Sequence, residues 1–158
     1  MSAASQDNLA LVVPGETSYL CLIRDFVTAV ARRAGFSEHR VGEIEIAVDE
    51  ACANIVEHAY GGTAASRQLT LSSCPGSDAP AIVLRIAAFG DRLEVKILDR
   101  GPRYVPEMPN CNDPAALMAG NRKRGIGTYI IRNVMDEVRH EYRPGNGNEL
   151  TLVKYNNI

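Results

Sequence analysis

The chain has 158 residues, 46% hydrophobic and 23% charged, with a formal net charge of −2. That length suits one domain, residues 1–158, around a single core, and so small a charge supplies no basic field for direct binding of nucleic acid or an anionic membrane. No apolar run approaches the ~20 residues of a membrane span.

The opening "MSAASQDNLA" has neither a basic start nor an apolar core, so it does not read as a secretory signal. Cys21, Cys52, Cys74 and Cys111 are widely spaced and form no CxxC pair, which argues against a disulfide framework or zinc site and for reduced thiols in the cytoplasm. Leu9, Leu11 and Val13 alternate before Pro14-Gly15, predicting a strand and a turn. From Thr17 to Ala34 the spacing is helical, with Leu20, Ile23, Val27, Val30 and Ala31 inward and Gly35 as the stop. Ser37 can cap a second helix that runs on to Gly61-Gly62, with Ile44, Ala47, Ala51, Ile55 and Ala59 on its apolar face. A polar, small-residue segment follows, with a strand expected at Gln68–Ser72.

"AIVLRIAAF" and "RLEVKILD", joined by Gly90-Asp91, predict an antiparallel hairpin. After Asp99-Arg100-Gly101-Pro102 comes a long interval, residues 102–124, in which only Asp113–Gly120 reads as a helical turn or two. "TYIIRNVMDEV" then reads as a helix, and "VRHEYRP", the turn "GNGN" and "ELTLVKYN" form a second hairpin. This order predicts a two-layer α/β (α+β) sandwich, with helices on one face of a mixed, mostly antiparallel sheet.

Four features carry chemistry. Glu50, Asn54 and His58 stand four apart in the second helix, so a carboxylate, an amide and an imidazole share a stripe beside the apolar face. Oxygen donors converging in this way suit Mg²⁺, which takes much of its shell from water and substrate phosphates; a solvated face with an Asn–Glu hydrogen bond is the plainer alternative. Asp99, ending a strong strand and followed by Gly101, can accept from an exocyclic amine while the glycine lets a planar base approach, although Asp-x-Gly-Pro is also ordinary turn chemistry. Arg122-Lys123-Arg124-Gly125-Ile126-Gly127-Thr128 opens a helix with glycines behind three cations, a site for an anion at the positive end of the helix dipole. The interval 102–124 lies between these last two motifs. A loop of roughly 20 residues in so small a domain is usually functional, and this one has the position of a lid.

In that order the motifs resemble the ATP-binding domain shared by gyrase, histidine kinases and MutL, the GHKL or histidine-kinase-like ATPase superfamily. More closely, the chain resembles the RsbW/SpoIIAB-type anti-sigma factor serine/threonine kinases. "AVDEACANIVEHAY" is similar to that family's N-box, "ILDRGP" to its first glycine box and "RGIGTYIIRNVMDEV" to its second, down to the Met-Asp-Glu ending. The resemblance covers nearly the whole chain and implies a Bergerat-type ATP-binding fold with ATP and Mg²⁺ as ligands. It implies that Asn54 ligates Mg²⁺, that Glu50 is the general base and that Asp99 binds the adenine amine. Gly101 would lie beside the base, Gly125 and Gly127 would meet the phosphates within the box that includes Ile126 and Thr128, and His58, Arg122, Lys123 and Arg124 would be phosphate neighbours. The wider superfamily has a further glycine where this chain has Arg103; anti-sigma-type members often lack it, which narrows the assignment.

The resemblance also implies partners: a sigma factor that the protein sequesters, a STAS-domain anti-anti-sigma antagonist that it phosphorylates, and a second copy in a homodimer. Two alternatives differ in class. One is a non-catalytic, nucleotide-gated partner-binding module; the other is an ATPase-domain fragment of a larger signalling protein, against which the chain length counts. The lack of a preceding phosphoacceptor helix disfavours a histidine kinase but not an excised fragment of one.

Overall fold

The alternation of Leu9, Leu11 and Val13 produces a strand, β1 (Asp7–Pro14), with Val13 buried and Leu9 exposed. A computed structural model describes residues 7–60, 81–105 and 126–156. Among them five strands form one sheet: β1, β2 (Ala81–Ala88), β3 (Arg92–Asp99), β4 (Glu137–Arg143) and β5 (Gly147–Tyr155), in the order β1-β2-β3-β5-β4. Each described pairing is antiparallel, so the sheet is more uniform than the mixed one expected. Both hairpins lie where the turn residues place them, β2–β3 across Gly90-Asp91 and β4–β5 across Gly145-Asn146.

One face of the sheet carries Ile82, Leu84 and Ile86 from β2, Leu93, Val95 and Ile97 from β3, and Leu152 from β5, all fully buried. Period-two alternation sends Arg85, Glu94 and Lys96 to the other face, where Arg92 pairs with Glu94 and Lys96 with Glu149. The buried face packs against α1 (Leu20–Arg33) and α2 (Glu38–Asn54), whose inward residues are Ile23, Val27, Val30 and Ala31, and Val41, Ile44, Ala47, Val48 and Ala51. A short 3₁₀ turn, Thr17–Tyr19, precedes α1. Gly35 ends it as expected: its N–H bonds to Arg32 O and the Phe36 N–H to Ala31 O, the paired bonds of a glycine C-cap. Ser37 caps α2 by accepting from the Arg40 N–H at 3.4 Å. No helix among the described residues is long and apolar enough to cross a membrane.

Two elements depart from their expected bounds. The second helix does not continue as an α-helix past Asn54; Ile55–Ala59 form a π turn that ends at Tyr60. The last helix, α3 (Ile126–Val134), stops short of the "MDEV" segment. There the strand ladder takes over: Asp136 N–H bonds to Val153 O, Tyr155 N–H to the Asp136 carboxylate, and the Lys154 ammonium reaches Val134 O at 2.6 Å. Lys154, buried on β5, also lies 2.8 Å from the Glu43 carboxylate, so one cation closes α3 and ties it to α2. The strand expected at Gln68–Ser72, the turn at Asp113–Gly120 and most of the lid interval lie outside the described residues.

Candidate functional site

The acid and amide of α2 meet α3 at one residue. Gly127 is buried in the first turn of α3, and a Cβ there would stand 2.8 Å from Oε2 of Glu50 and 3.2 Å from Nδ2 of Asn54. A side chain there would have to push the Glu50 carboxylate and the Asn54 amide from their present positions. Glu50 and Asn54 therefore do not form a merely solvated face; they stand partly buried against the end of α3 from which N–H groups and the positive dipole project. His58 belongs to the π turn, where the wider helix rotates successive side chains by less than an α-helix does. It is exposed and lines the cavity described below together with Asn54.

The second centre is Asp99, buried at the end of β3 with 6% of its surface exposed. Its Oδ1 accepts the Gly101 N–H at 2.8 Å and the Asn148 Nδ2 at 3.1 Å. Both bonds orient the carboxylate. Asn148, 4% exposed, lies opposite Asp99 in the β3–β5 register and also donates to Pro102 O at 2.9 Å while its Oδ1 accepts the Tyr104 N–H at 3.0 Å. Gly147, with φ of 91°, precedes it; a Cβ there would come within 2.0 Å of Asp99 O, so a side chain would force β5 off β3 at this point. Gly101 is required for closeness as well, since its Cβ would stand 2.4 Å from that of Ala59.

Tyr60 holds the π turn against this centre. Its hydroxyl donates to Ala81 O at 2.9 Å and accepts the Arg100 N–H at 3.1 Å, and its ring lies where a side chain on Gly15 would be. Burial pushes the Tyr60 phenol above its usual range, so it stays protonated as a donor.

Between the two centres lies a cavity of about 240 Å³. Ala51, Ile55 and Ala59 of α2 and the π turn line one wall, Ile131 of α3 another, and Val138 and Leu150 the sheet side, with Asp99 and Asn148 at one end. Apolar walls with a few converging polar groups suit a planar base, and the volume is just below the ~300–1,000 Å³ of small-molecule sites. Asn54 and Thr128 line the cavity near α3, and Glu50 stands beside them against Gly127. The donor set there, a carboxylate and an amide oxygen, fits a hard cation that draws its remaining ligands from phosphate and water. No group of three or more His, Cys, Asp or Glu able to hold a metal occurs among the described residues.

The cavity thus gathers Asn54, His58, Asp99 and Thr128 directly, with Glu50, Gly101 and Gly127 packed at its edges, and Ile126 begins α3. Arg122, Lys123, Arg124 and Gly125 lie outside the described residues. Sequence reasoning missed Asn148, which reads only as part of the turn "GNGN", and His140 and Arg132, which also line the cavity. The pairing of Asp99 with Asn148 spans 49 residues and no local pattern announces it.

Comparison with known proteins adds an independent finding. A family model described as a histidine kinase-like ATPase domain matches residues 13–154. The chain is 26% identical over 159 aligned residues to the serine-protein kinase RsbW of Bacillus velezensis, covering 98% of this chain and 89% of that protein. It is 28% identical to the serine-protein kinase RsbW of Bacillus subtilis, covering 88% and 81%. Among solved structures, the RsbU and RsbW domains of Rv1364c from Mycobacterium tuberculosis share the fold with a TM-score of 0.61 at 16% identity, over 94% of this chain and 31% of that one.

Proposed function

The chain belongs to the histidine kinase-like ATPase domain family, and from that premise we propose that it is an ATP-dependent serine/threonine protein kinase acting on a small regulatory partner. The observation that carries this reading is the seam at Gly127, where a carboxylate and an amide stand together at the opening of a helix. Asp99 would receive the amine of adenine, the apolar walls would enclose the ring, and the start of α3 would face the phosphates. Mg²⁺, held by the Asn54 amide oxygen, would supply neutralising charge between the phosphate groups.

Phosphoryl transfer asks mainly for positioning and charge compensation. The serine hydroxyl oxygen forms a new bond to the γ-phosphorus as the bond to the β,γ-bridging oxygen breaks, and ADP leaves. Glu50 accepts the hydroxyl proton. Because Glu50 and Asn54 are one turn apart on α2, their separation is set by the helix itself.

By family resemblance, the substrate is a STAS-domain anti-anti-sigma antagonist, and a homodimer of this protein sequesters a sigma factor in the cytoplasm. The names of the relatives, serine-protein kinases along most of their length, support the same reading. The test is incubation with Mg²⁺, γ-labelled ATP and purified STAS-domain proteins of the same organism, followed by mass spectrometry. One phosphate on a single serine or threonine of one antagonist is the expected result. Mg²⁺-dependent ATP binding with no transfer to any of them would replace the kinase by a nucleotide-gated binding module.

A further inference from the structure

His140, on β4, plays no part in the mechanism above, yet its ring lines the cavity on the same sheet face as Leu150, its register partner. Its Nε2 is shielded from solvent and has no hydrogen-bond partner among the described residues. A buried polar atom left unsatisfied in a ligand-sized cavity calls for an explanation, because such an atom costs stability in the empty protein.

The neighbouring Asn148 amide has both protons directed at Asp99 Oδ1 and Pro102 O and its oxygen at the Tyr104 N–H, so it offers no free N–H to the imidazole. In the tautomer protonated at Nδ1, the His140 Nε2 carries a free lone pair. Tyr104 stands edge-on to the imidazole, with centroids 5.8 Å apart at 75°.

Adenine presents two protons on its exocyclic amine, and one carboxylate oxygen takes one of them. We propose that His140 is a specificity-determining residue of the base end of this pocket, its Nε2 accepting the second amine proton directly or through one bridging water. This rests on the nucleotide-binding reading given above. A base with a carbonyl in place of the amine would set two acceptors against each other and be rejected.

The charged and titratable groups facing the same cavity are Asp99 on β3, Arg103 and Tyr104 just beyond it, Arg132 on α3 and His58 in the π turn. Burial lowers the His140 pKa, with Arg103 acting in the same direction and Asp99 and Asn148 opposing, so the acceptor form prevails at neutral pH.

The experiment is a calorimetric titration of the full chain with Mg²⁺–ATP and with Mg²⁺–ITP, which lacks the amine. Wild type, His140→Leu and His140→Gln are compared. The expected result is a roughly tenfold loss of ATP-over-ITP preference in His140→Leu, the equivalent of one hydrogen bond, largely retained in His140→Gln, which keeps an acceptor. A merely structural role would weaken both nucleotides together and leave their ratio unchanged, and an unchanged ratio in a folded His140→Leu protein overturns the assignment. Wild type binding neither nucleotide would instead overturn the nucleotide reading itself.

Discussion

At Gly127 the backbone of α3 approaches Glu50 of α2 so closely that a Cβ would stand 2.8 Å from the Glu50 Oε2. A methyl group there must displace the carboxylate, the helix start or both. Gly127→Ala is expected to destabilise the fold by about 1–3 kcal/mol, the usual cost of overpacking, and to lower phosphotransfer at least tenfold. Thermal melts and transfer rates measured on the same preparation check this; a variant with wild-type transfer would show that the approach is not needed for chemistry.

Glu50→Gln keeps the shape of the side chain and removes its basicity. Transfer is expected to fall by ~10²–10⁴-fold, the range for loss of a general base, with ATP affinity nearly unchanged. Single-turnover rates beside equilibrium titrations separate the two effects, and equal rates for variant and wild type would remove Glu50 from the role of base.

Asn54→Ala is expected to remove the part of ATP affinity that depends on Mg²⁺ and to spare the part that does not. Titrations with and without the ion read this directly. An unchanged difference between the two conditions would place the metal on other groups.

Lys154 is buried and bonded at once to Glu43 and to the carbonyl that ends α3. Removing one partner of such a pair leaves the other unpaired and partly desolvated. Lys154→Ala is expected to cost about 2–4 kcal/mol and to loosen α3 from α2. Denaturant titration gives the first number, and hydrogen exchange in α3 tests the second.

Burial lowers the pKa of His140 in the folded state. Above the unfolded value of about 6.5 both states hold the ring neutral, and it contributes nothing to the pH dependence. As pH falls below that value the unfolded chain takes up the proton first, so stability declines until the folded pKa is passed. Denaturant midpoints between pH 7.5 and 5 should therefore fall more steeply in wild type than in His140→Leu; parallel profiles would mean that the ring titrates normally.

Much of the architecture is legible in the sequence because it depends on neighbours along the chain. Period-two runs make β2 and β3, helical spacing makes α1 and α2, and Ser37, Gly35 and Gly90-Asp91 place the boundaries through local backbone chemistry. The Glu50–Asn54 pair is legible for the same reason: four residues along an α-helix is one turn, whatever surrounds it.

The tertiary structure decided what those residues face. A π turn, not more α-helix, carries His58 at the cavity, and the β4–β5 ladder ended α3 before the Met-Asp-Glu segment. Register set Asn148 opposite Asp99 and brought His140 to the cavity, contacts between residues that no periodicity relates. Sequence alone determined the elements and the chemistry each carries, because backbone propensity and side-chain period are local. Which groups share a cavity was decided by strand register and by the packing of α3 on α2, since both depend on contacts across the fold, and at Gly127 that packing brings the helix start against the acid and the amide.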